Sequence, residues 1–468
     1  MPEFTLSWIS DSTKGQIKSD IFKSAQNVGT DTRMDLKGNL FIALRGANFD
    51  AHNFLGQAVE KGASILLVDK EDSITPEILQ RVSVVKVQDT LKALQSLAQA
   101  WRKNLTTKIM AVTGSNGKTT TKEFAATVLS QKFKVFATTG SYNNHWGLPL
   151  SILNIEKEHE IAILEMGMNH RGEIAHLCGI ATPDVVLVTM VGSAHIGELG
   201  SQEEIAKAKE EIYQSCTSCL KIFNLDNEHT IGMFKNFIDD GGGDYLTFSS
   251  FDKSASVSLR VEKMELGSIL LSGQINKVEG KAKVPIFGRH NVNNIMSAAC
   301  LALAAGMSGQ EIWQALPMCR GIWGRNQLLK LKNGSTILFD AYNASFDSMS
   351  ALIKSLYEFD LKGIRLAIIG QMLELGDESK NLHEKLGELI AQTGFDTIWF
   401  IGQEKDAFAR GVQRGGFDKN LLLSDSYEEK LAMKVASMLN PDDVAIIKGS
   451  RGMKMEQILD TWRTNNLL

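Results

Sequence analysis

The sequence has little of what marks secreted, membrane-spanning or nucleic-acid-binding proteins. No stretch of its 468 residues holds the roughly 18 consecutive apolar residues of a transmembrane helix. The opening residues, Met1 to Phe4, lack the basic and apolar segments of a secretory signal. The formal net charge is −4, so there is no basic excess that would favour nucleic acid or an anionic membrane as a partner. We therefore expect a cytoplasmic protein that binds neither.

Cysteine is scarce as well. The chain has five cysteines, an odd and widely scattered set, which predicts reduced thiols rather than a disulfide framework. Only Cys216 and Cys219 lie close together in the sequence. No second pair completes a zinc site, and the surrounding segment has a helical pattern. We interpret these two residues as ordinary helix positions, with a metal or redox pair as the alternative.

The chain is too long for a single hydrophobic core, and about three domains are expected. We place them at 1–105, 106–317 and 318–468. The first has the pattern of a small α/β domain. In the second, short apolar runs alternate with helical segments, which indicates a mostly parallel sheet buried on both faces. The third has a Rossmann-like pattern, but no GxGxxG motif follows its first strand, which argues against a dinucleotide site.

The stretch Thr113–Thr120 has the pattern of a phosphate-binding loop, with an apolar run at 109–112 before it and a helix-compatible segment after it. Glycines let backbone N–H groups approach phosphate oxygens. Lys118 can reach the β- and γ-phosphates, and the hydroxyl of Thr119 can bind magnesium. The nucleotide-binding residues predicted here are Gly114, Ser115, Asn116, Gly117, Lys118, Thr119 and Thr120. Val112 occupies the first glycine position of GxxxxGK[ST], so an ordinary turn before a helix is the alternative.

Two further candidates follow apolar strands of the central region. Glu165 ends the run 161–164, and His195 lies in the loop after the run 185–190. Ligands of parallel sheets gather at the carboxyl ends of the strands, where a carboxylate can hold Mg²⁺ directly or through water. The alternatives are a salt-bridged or helix-capping glutamate and a structural histidine.

Asn291 and Asn294 stand one turn apart at the start of a long apolar helix, so both amides can face one ligand edge. An adenine ring donates and accepts hydrogen bonds and therefore suits amides, whereas helix capping is the alternative. In the third region, polar residues such as Asp340, Lys448 and Arg451 follow strands. Their positions suggest a domain that closes on the central one.

Together these segments resemble the Mur ligases of bacterial peptidoglycan synthesis, and the similarity covers all three regions. Besides the phosphate loop, the matching motifs are Asp31-Thr32-Arg33, Leu40 to Gly46, Tyr142 to Pro149, Glu165 to Ile174, Ala194-His195, Ala206 to Lys209, Gly288 to Asn294, Gly324-Arg325, Asp340 to Ala344, Leu373 to Gly376 with His383, and Lys448 to Arg451. The Asp-x-Tyr-Asn-Ala and Leu-Glu-Leu-Gly segments are similar to the dipeptide-adding branch of the family. Trp146 is bulkier than the aliphatic residue that is usual there.

The resemblance implies an ATP-dependent ligase, which we expect to be a monomer. The terminal carboxylate of UDP-MurNAc-tripeptide would take the γ-phosphoryl group of ATP to give an acyl phosphate, and the amine of D-alanyl-D-alanine would then displace phosphate. Another amide ligase of the same family, acting on a different muramyl peptide or on folate, is the alternative. A P-loop ATPase or binding module without ligation is a further one.

The resemblance also implies a metal centre with two magnesium ions. It places Thr119 and Glu165 at the first ion and His195 at the second. Lys209 matches the position whose amine is carboxylated by CO₂ and then supports the metals as an anion, and Lys207 is the neighbouring candidate for that role.

The remaining roles that the resemblance implies concern nucleotide and substrate. Arg325 would contact the transferring phosphate, Asn291 and Asn294 the adenine, and Asp340 the ribose. The implied catalytic residues are Lys118, Glu165, His195, Lys209 and Arg325. The implied substrate-binding residues are Asp31, Thr32, Arg33, Arg45 and Gly46 at the UDP-sugar end, with Asn143 and Asn144 nearer the rest of the substrate.

Overall fold

The computed structural model describes residues 3–46, 49–140, 142–194, 196–359 and 361–468. Residue contacts divide the chain into two compact units. Unit 1 comprises Met1–Thr113, Lys132–Val186 and Glu211–Cys219, and unit 2 comprises Gly114–Gln131, Leu187–Glu210 and Leu220–Leu468. No helix in the described ranges combines the length and apolar character that crossing a membrane would need.

The first region is a small α/β fold, as its patterns predict. Its elements are β1 (Phe4–Thr5), α1 (Leu6–Thr13), β2 (Gln16–Ser19), β3 (Ser24–Ala25), β4 (Val28–Gly29), β5 (Leu40–Ile42), β6 (Arg45–Gly46), β7 (Phe49–Asp50), α2 (Leu55–Glu60), β8 (Ile65–Val68), α3 (Pro76–Arg81), β9 (Ser83–Lys86) and α4 (Thr90–Lys103). Five strands form a sheet in the order β2-β9-β8-β5-β4, in which β2 is antiparallel and the other pairs are parallel. Helix α4 is capped by Asp89 and buries Leu94, Leu97 and Trp101.

The central region supplies the strands that precede the candidate site. Its elements are β10 (Lys108–Thr113), α5 (Lys118–Leu129), β11 (Val135–Ala137), α6 (Gly147–Leu153), β12 (Ile161–Glu165), α7 (Glu173–Ala181), β13 (Val185–Val188), α8 (Ile196–Leu199), α9 (Gln202–Gln214), β14 (Leu220–Asn224), α10 (Glu228–Asp239), β15 (Tyr245–Phe248), β16 (Val257–Glu265), β17 (Ser268–Ile275), β18 (Val278–Val284), α11 (Asn291–Ala304) and α12 (Gly309–Ala315). In unit 1 the order is β11-β12-β10 with parallel pairing. Strand β12 is buried along its whole length, in agreement with the continuous apolar run at 161–164 that precedes Glu165.

Unit 2 continues with β14 and β15, which pair in parallel, and β15 pairs in parallel with β16. Strands β16, β17 and β18 are joined as antiparallel hairpins. This antiparallel part is the β segment that the glycine-rich and alternating sequence after residue 240 predicts, because alternation suits strands with one solvated face.

The interpretation of Cys216 and Cys219 as helix positions is wrong. Helix α9 ends at Gln214 and β14 begins at Leu220, so both cysteines lie in the short connection between them. The structure joins the two by a disulfide. Cys178, Cys300 and Cys319 are free and buried.

The third region is a Rossmann-like sheet, as predicted. Its elements are β19 (Gln327–Lys330), β20 (Thr336–Phe339), α13 (Phe346–Tyr357), β21 (Arg365–Gly370), α14 (Ser379–Ala391), β22 (Thr397–Ile401), α15 (Lys405–Arg414), β23 (Asn420–Ser424), α16 (Glu429–Met438), β24 (Val444–Lys448) and α17 (Glu456–Thr464). The strand order is β19-β20-β24-β21-β22-β23, with only the β19–β20 pair antiparallel. Because β20 and β24 are parallel neighbours, Asp340 and Lys448 emerge side by side at one edge.

Candidate active site

The phosphate loop has a backbone conformation at Gly114 that only glycine permits. Gly114 has φ +147°, and a Cβ atom there would lie 1.9 Å from Oγ1 of Thr189. Gly117 has φ +85° and directly precedes α5, which begins at Lys118. The backbone N–H groups at the start of α5 have no earlier helical carbonyl to bind, so the loop and helix start form an anion site.

The segment after β13 fixes the shape of this loop. The Ser115 amide donates to the Met190 carbonyl at 2.9 Å, and the Thr189 hydroxyl donates to the Asn116 carbonyl at 2.6 Å. The Gly192 amide donates to Oγ of Ser115 at 2.9 Å. Because these bonds are made within the protein, the loop is preorganised for its ligand.

Three of the predicted catalytic and nucleotide-binding side chains meet at the loop. Nζ of Lys118 donates to the Gly114 carbonyl at 2.6 Å. Nη2 of Arg325 donates to Oγ1 of Thr119 at 3.2 Å, and its guanidinium lies 4.5 Å from the centre of the Tyr342 ring. Two cations and a hydroxyl therefore converge where the loop would hold phosphate.

A cavity of about 200 Å³ opens beside these groups within unit 2. Of the predicted nucleotide-binding residues, those that line it are Ser115, Asn116, Gly117, Lys118, Thr119, Thr120, Asn291, Asn294, Arg325 and Asp340. The structure thus brings together residues that are more than 200 positions apart in the chain.

Asn291 and Asn294 share a buried face of α11, as their spacing predicts. Nδ2 of Asn294 donates to Oδ1 of Asn291 at 2.9 Å, and Nδ2 of Asn291 donates to the Phe287 carbonyl at 2.7 Å. Oδ1 of Asn294 accepts from the Thr121 hydroxyl at 3.4 Å. Much of the hydrogen-bonding capacity of these amides is therefore used within the protein.

Asp340 forms a buried ion pair that the sequence does not reveal. Nζ of Lys448 donates to Oδ2 of Asp340 at 2.6 Å and to the Asn343 carbonyl at 3.2 Å. Burial lowers the pKa of Lys448 below its usual value, although the adjacent Asp340 carboxylate opposes the shift. The sequence showed that Asp340 and Lys448 each lie at the end of a strand. It did not show that β20 and β24 are neighbours, which is what brings the two side chains together.

The two lysines of α9 occupy different environments. Lys207 is exposed and pairs with Glu204 at 2.7 Å, whereas the side chain of Lys209 is fully buried. Burial, and then the positive charge of Lys118, lower the pKa of Lys209 well below its ordinary value. A lowered pKa favours the neutral form of the amine, which is the nucleophilic form.

Glu165 and the predicted substrate asparagines belong to unit 1. Glu165 is the last residue of β12 and is buried. The Asn143 carbonyl accepts from the Gly167 amide at 2.8 Å, and Oδ1 of Asn144 accepts from the Gly147 amide at 2.9 Å. His195 lies outside the described residues.

Unit 1 contains a larger cavity, of about 1170 Å³, which Asp31, Thr32 and Arg33 help to line. Arg33 pairs with Asp31 at 2.6 Å, and its hydrogen bonds hold the pKa of that carboxyl below its usual range. Oγ1 of Thr32 donates to Gln57 at 2.7 Å.

The remaining predicted substrate residues are not in the lining of this cavity. Arg45 pairs with Asp69 at 2.7 Å, and Gly46 follows it in the short strand β6. Asn144 lines a separate cavity together with Gly167 and Arg171.

Sequence reasoning missed four aromatic side chains that line the larger cavity and remain 38–55% exposed: Phe49, Phe54, Tyr142 and Trp146. Phe49 and Phe54 are stacked, with ring centres 5.4 Å apart. Tyr142 and Trp146 meet edge to face at 6.0 Å. In the sequence, the only indication of this aromatic lining was that Trp146 departs from the family pattern.

Family models match three consecutive parts of the chain. The Mur ligase family catalytic domain matches residues 24–102, the Mur ligase middle domain matches 112–302, and the Mur ligase glutamate ligase domain matches 324–451. The chain is 34% identical over 457 residues to the UDP-N-acetylmuramoyl-tripeptide–D-alanyl-D-alanine ligase of Bacillus subtilis, covering 97% of each protein. It is 32% identical to the Escherichia coli ligase of the same name, covering 99% of each.

Solved structures agree with these relatives. A crystal structure of MurF from Acinetobacter baumannii superposes with a TM-score of 0.87 at 28% identity, covering 98% of both chains. MurF ligase from Thermotoga maritima in complex with ADP superposes with a TM-score of 0.78 at 28% identity, covering 94% of this chain and 97% of that one. The chain therefore belongs to the Mur ligase family. This follows from the phosphate loop with its converging cations, the three matching domain models and the similarity over nearly the full length.

Proposed function

We propose that this protein is the ATP-dependent ligase that joins D-alanyl-D-alanine to UDP-MurNAc-tripeptide in peptidoglycan precursor synthesis. The observation that carries the proposal is the preorganised phosphate loop with Lys118, Thr119 and Arg325 converging on it, in a chain similar over nearly its whole length to ligases of that name. ATP and UDP-linked substrates place the reaction in the cytoplasm.

The reaction activates a carboxylate that is otherwise a poor electrophile. An oxygen of the tripeptide carboxylate attacks the γ-phosphorus of ATP, and ADP leaves. The amine of D-alanyl-D-alanine then attacks the acyl carbon, loses a proton, and expels inorganic phosphate as the amide forms. Phosphoryl transfer needs alignment and charge neutralisation more than a protein nucleophile, and cations with N–H groups supply these.

Within the nucleotide site, Lys118 and the loop N–H groups hold the β- and γ-phosphates. Arg325 is placed to contact the transferring phosphoryl group, since its guanidinium already reaches Thr119. Asn291 and Asn294 border the adenine, and Asp340 borders the ribose. Tyr342, stacked on Arg325, keeps that guanidinium oriented.

A magnesium ion fits the residues on the nucleotide side. Within the described ranges, no three His, Cys, Asp or Glu side chains form a group that could hold a metal ion. Magnesium commonly binds through substrate phosphates and one or two protein oxygens, and the Thr119 hydroxyl beside Lys118 offers such an oxygen. The ion would neutralise phosphate charge. We assign Glu165 to the same ion and His195 to a second, by similarity to the family.

Lys209 is proposed to carry a carboxyl group. Only a neutral amine attacks CO₂, and burial favours that form of Lys209 by lowering its pKa. The nitrogen bonds to the carbon of CO₂ and loses one proton to solvent, and the product is a carbamate, so a neutral side chain next to Lys118 becomes an anion. Exposed Lys207, paired with Glu204, lacks this environment.

The larger cavity of unit 1 is proposed to bind the UDP-sugar. Its polar residues Asp31, Thr32 and Arg33 can meet diphosphate and sugar oxygens, while the exposed rings offer stacking surfaces. Arg45 and Gly46 are assigned to the same end, and Asn143 and Asn144 to the muramyl-peptide side. We propose residues 1–105 as the UDP-sugar domain, 106–317 as the ATP domain and 318–468 as the closing domain.

Phosphate release measured with each substrate omitted in turn tests the function. Rapid release is expected only with ATP, UDP-MurNAc-tripeptide and D-alanyl-D-alanine together, with a product heavier by the dipeptide minus water. Release without the muramyl peptide would favour an ATPase. Release with a shorter muramyl peptide and a single amino acid, or with folate and glutamate, would favour another ligase of the family.

A further inference from the structure

The loop after β13 is tied to the start of α13 by the carboxylate of Asp347. Oδ2 of Asp347 accepts hydrogen bonds from the Ser193 amide at 2.6 Å and from the Ser193 hydroxyl at 2.8 Å. The two residues are 154 positions apart in the chain, and both belong to unit 2. Ser193 is only 5% exposed, so its side of the contact is shielded from water. Hydrogen bonds to a carboxylate are stronger than those between neutral groups, and this one carboxylate oxygen receives two.

The backbone beside Ser193 leaves room for this carboxylate. A Cβ atom at Gly192 would lie 2.5 Å from Oδ2 of Asp347. A larger residue at this position would therefore push the carboxylate away from the Ser193 amide and hydroxyl. The contact thus depends on a glycine, a serine and an aspartate that only the tertiary structure brings together.

The loop that Asp347 holds is the one that shapes the phosphate loop. Oγ of Ser115 accepts from the Gly192 amide at 2.9 Å and donates to the Gly192 carbonyl at 3.2 Å. The side chain of Asn227 bonds to the same loop one residue earlier, since its Oδ1 accepts from the Val191 amide at 3.3 Å and its Nδ2 donates to the Val191 carbonyl at 3.0 Å. Asn227 therefore fixes the loop from the central region, and Asp347 fixes it from the third region.

The chain just before Asp347 makes further contacts around the phosphate loop. Oγ of Ser345, the N-cap residue of α13, donates to Oδ1 of Asn116 at 3.2 Å. The ring of Tyr342 stacks on the guanidinium of Arg325, which in turn bonds to Thr119. The short stretch 342–347 therefore touches the phosphate loop, the loop after β13 and the guanidinium.

We propose that Asp347 is a positioning residue for phosphoryl transfer. By holding Ser193, it keeps the stretch 342–347 against the phosphate loop and so keeps Arg325 at the transferring phosphate. The proposal deepens the proposed function and rests on it. Its consequence is a loss in kcat with nucleotide binding preserved, because Lys118 and the loop N–H groups stay in place when the carboxylate is removed.

Steady-state phosphate release and calorimetric binding of ADP test the proposal. In Asp347→Ala, kcat should fall about tenfold through loss of the two bonds to a charged group. The KM for ATP and the affinity for ADP should change by less than about twofold. Asp347→Asn keeps an oxygen that can accept from Ser193 and should recover most of the rate.

Asp406→Ala is the matched control. Asp406 is also an aspartate in the first turn of a helix of the third region, and it is exposed. The substitution removes the same favourable interaction with a helix N-terminus. It should leave kcat and the affinity for ADP unchanged.

A double-mutant cycle shows whether Asp347 acts through Arg325. When Asp347→Ala is added to Arg325→Ala, the further loss in kcat should be less than about twofold, because the positioned group is already absent. Hydrogen exchange gives a readout that needs no ligation. In Asp347→Ala, the backbone amides of 189–194 and of 323–326 should exchange about tenfold faster than in the parent protein, and in Asp406→Ala they should not.

The proposal is overturned if Asp347→Ala keeps a normal kcat, if its affinity for ADP falls as far as its kcat, or if its effect and that of Arg325→Ala simply multiply. If the parent protein joins no dipeptide, the proposed function fails and hydrogen exchange decides this proposal separately. Faster exchange in both segments would then support the link from Asp347 to Arg325. Faster exchange in neither segment, or in 189–194 alone, would overturn it.

Discussion

The nucleotide cavity in unit 2 and the larger cavity in unit 1 are built from different kinds of contact. The first, of about 200 Å³, has walls of backbone groups and charged side chains that already bond to one another, as Ser115 does with Gly192 and Asp340 with Lys448. The second, of about 1170 Å³, exposes rings such as Phe49 and Trp146. Phosphoryl transfer requires groups held in a fixed geometry, whereas binding of a large sugar-nucleotide requires a large contact surface of complementary shape. The following changes test this contrast, in order of decreasing effect.

Lys118→Ala should have the largest effect. Removal of the loop cation should lower turnover by about 10²-fold or more, a few kcal/mol of transition-state stabilisation. Phosphate release under saturating substrates measures this, with Lys207→Ala as a control of the same chemistry on an exposed face. Near-normal rates in Lys118→Ala would remove the phosphate loop from the mechanism.

Lys209→Ala should lower activity by about 10²-fold, because the proposed carbamate can no longer form. Addition of a short carboxylic acid such as acetate should restore part of the rate by placing a carboxylate in the vacated space. The same acid should have no effect on Lys118→Ala. Full activity without rescue would exclude the proposed modification.

Gly114→Ala should weaken nucleotide binding by about ten- to a hundredfold. The added Cβ would meet Oγ1 of Thr189 at 1.9 Å and distort the loop that holds phosphate. Gly200→Ala is the matched control, since Gly200 also has positive φ but has open space around its Cβ position. Calorimetry with ADP and Mg²⁺ compares the two. If both variants lost the same affinity for ADP, backbone strain and not the contact with Thr189 would explain the loss.

Trp146→Ala should raise the KM for the UDP-linked substrate by about tenfold, since it removes one stacking surface of the larger cavity. The KM for ATP should change by less than about twofold. Phe251→Ala, at a ring that is 86% exposed in another part of the chain, should change neither. A rise in the KM for ATP instead would contradict the division of roles between the cavities.

The smallest effect concerns stability. In the folded protein the pKa of Lys209 is well below its ordinary value of 10.5. At any pH between the folded and the unfolded pKa, unfolding takes up a proton, so the free energy of unfolding rises with pH across that range. In buffer depleted of CO₂, Lys209→Met should therefore be more stable than the parent near pH 7, by about 1 kcal/mol or more. The difference in free energy of unfolding between the two proteins should decrease as the pH approaches 10.5. Denaturant unfolding across this range measures it, and a pH-independent gap would contradict burial of an uncharged lysine.

Local sequence predicted those parts of the site that are contiguous in the chain. Glycine and lysine at fixed spacing after an apolar strand suffice to predict a phosphate loop, because its function resides in its own backbone. Glu165 was predicted from its place at a strand end. The roles assigned to Glu165 and His195 stay predictions.

Other parts of the site depend on residues that are distant in sequence. Lys448 and Asp340 are separated by 108 positions, and strand order alone makes them neighbours. The burial of Lys209, against the exposure of Lys207, depends on what packs against α9. The aromatic lining of the larger cavity was missed because each ring, taken singly, is typical of a hydrophobic core.

By itself the sequence determined the family, the α/β class and the phosphate loop, since these follow from short motifs and from the period of apolar residues. The tertiary structure alone decided which polar groups are satisfied within the protein and which are left to a ligand. Hydrogen-bond partners are set by distance in space. Asp340 is bonded to Lys448 although 108 positions separate them in the chain, whereas Asn291 is bonded to Asn294 one helical turn away.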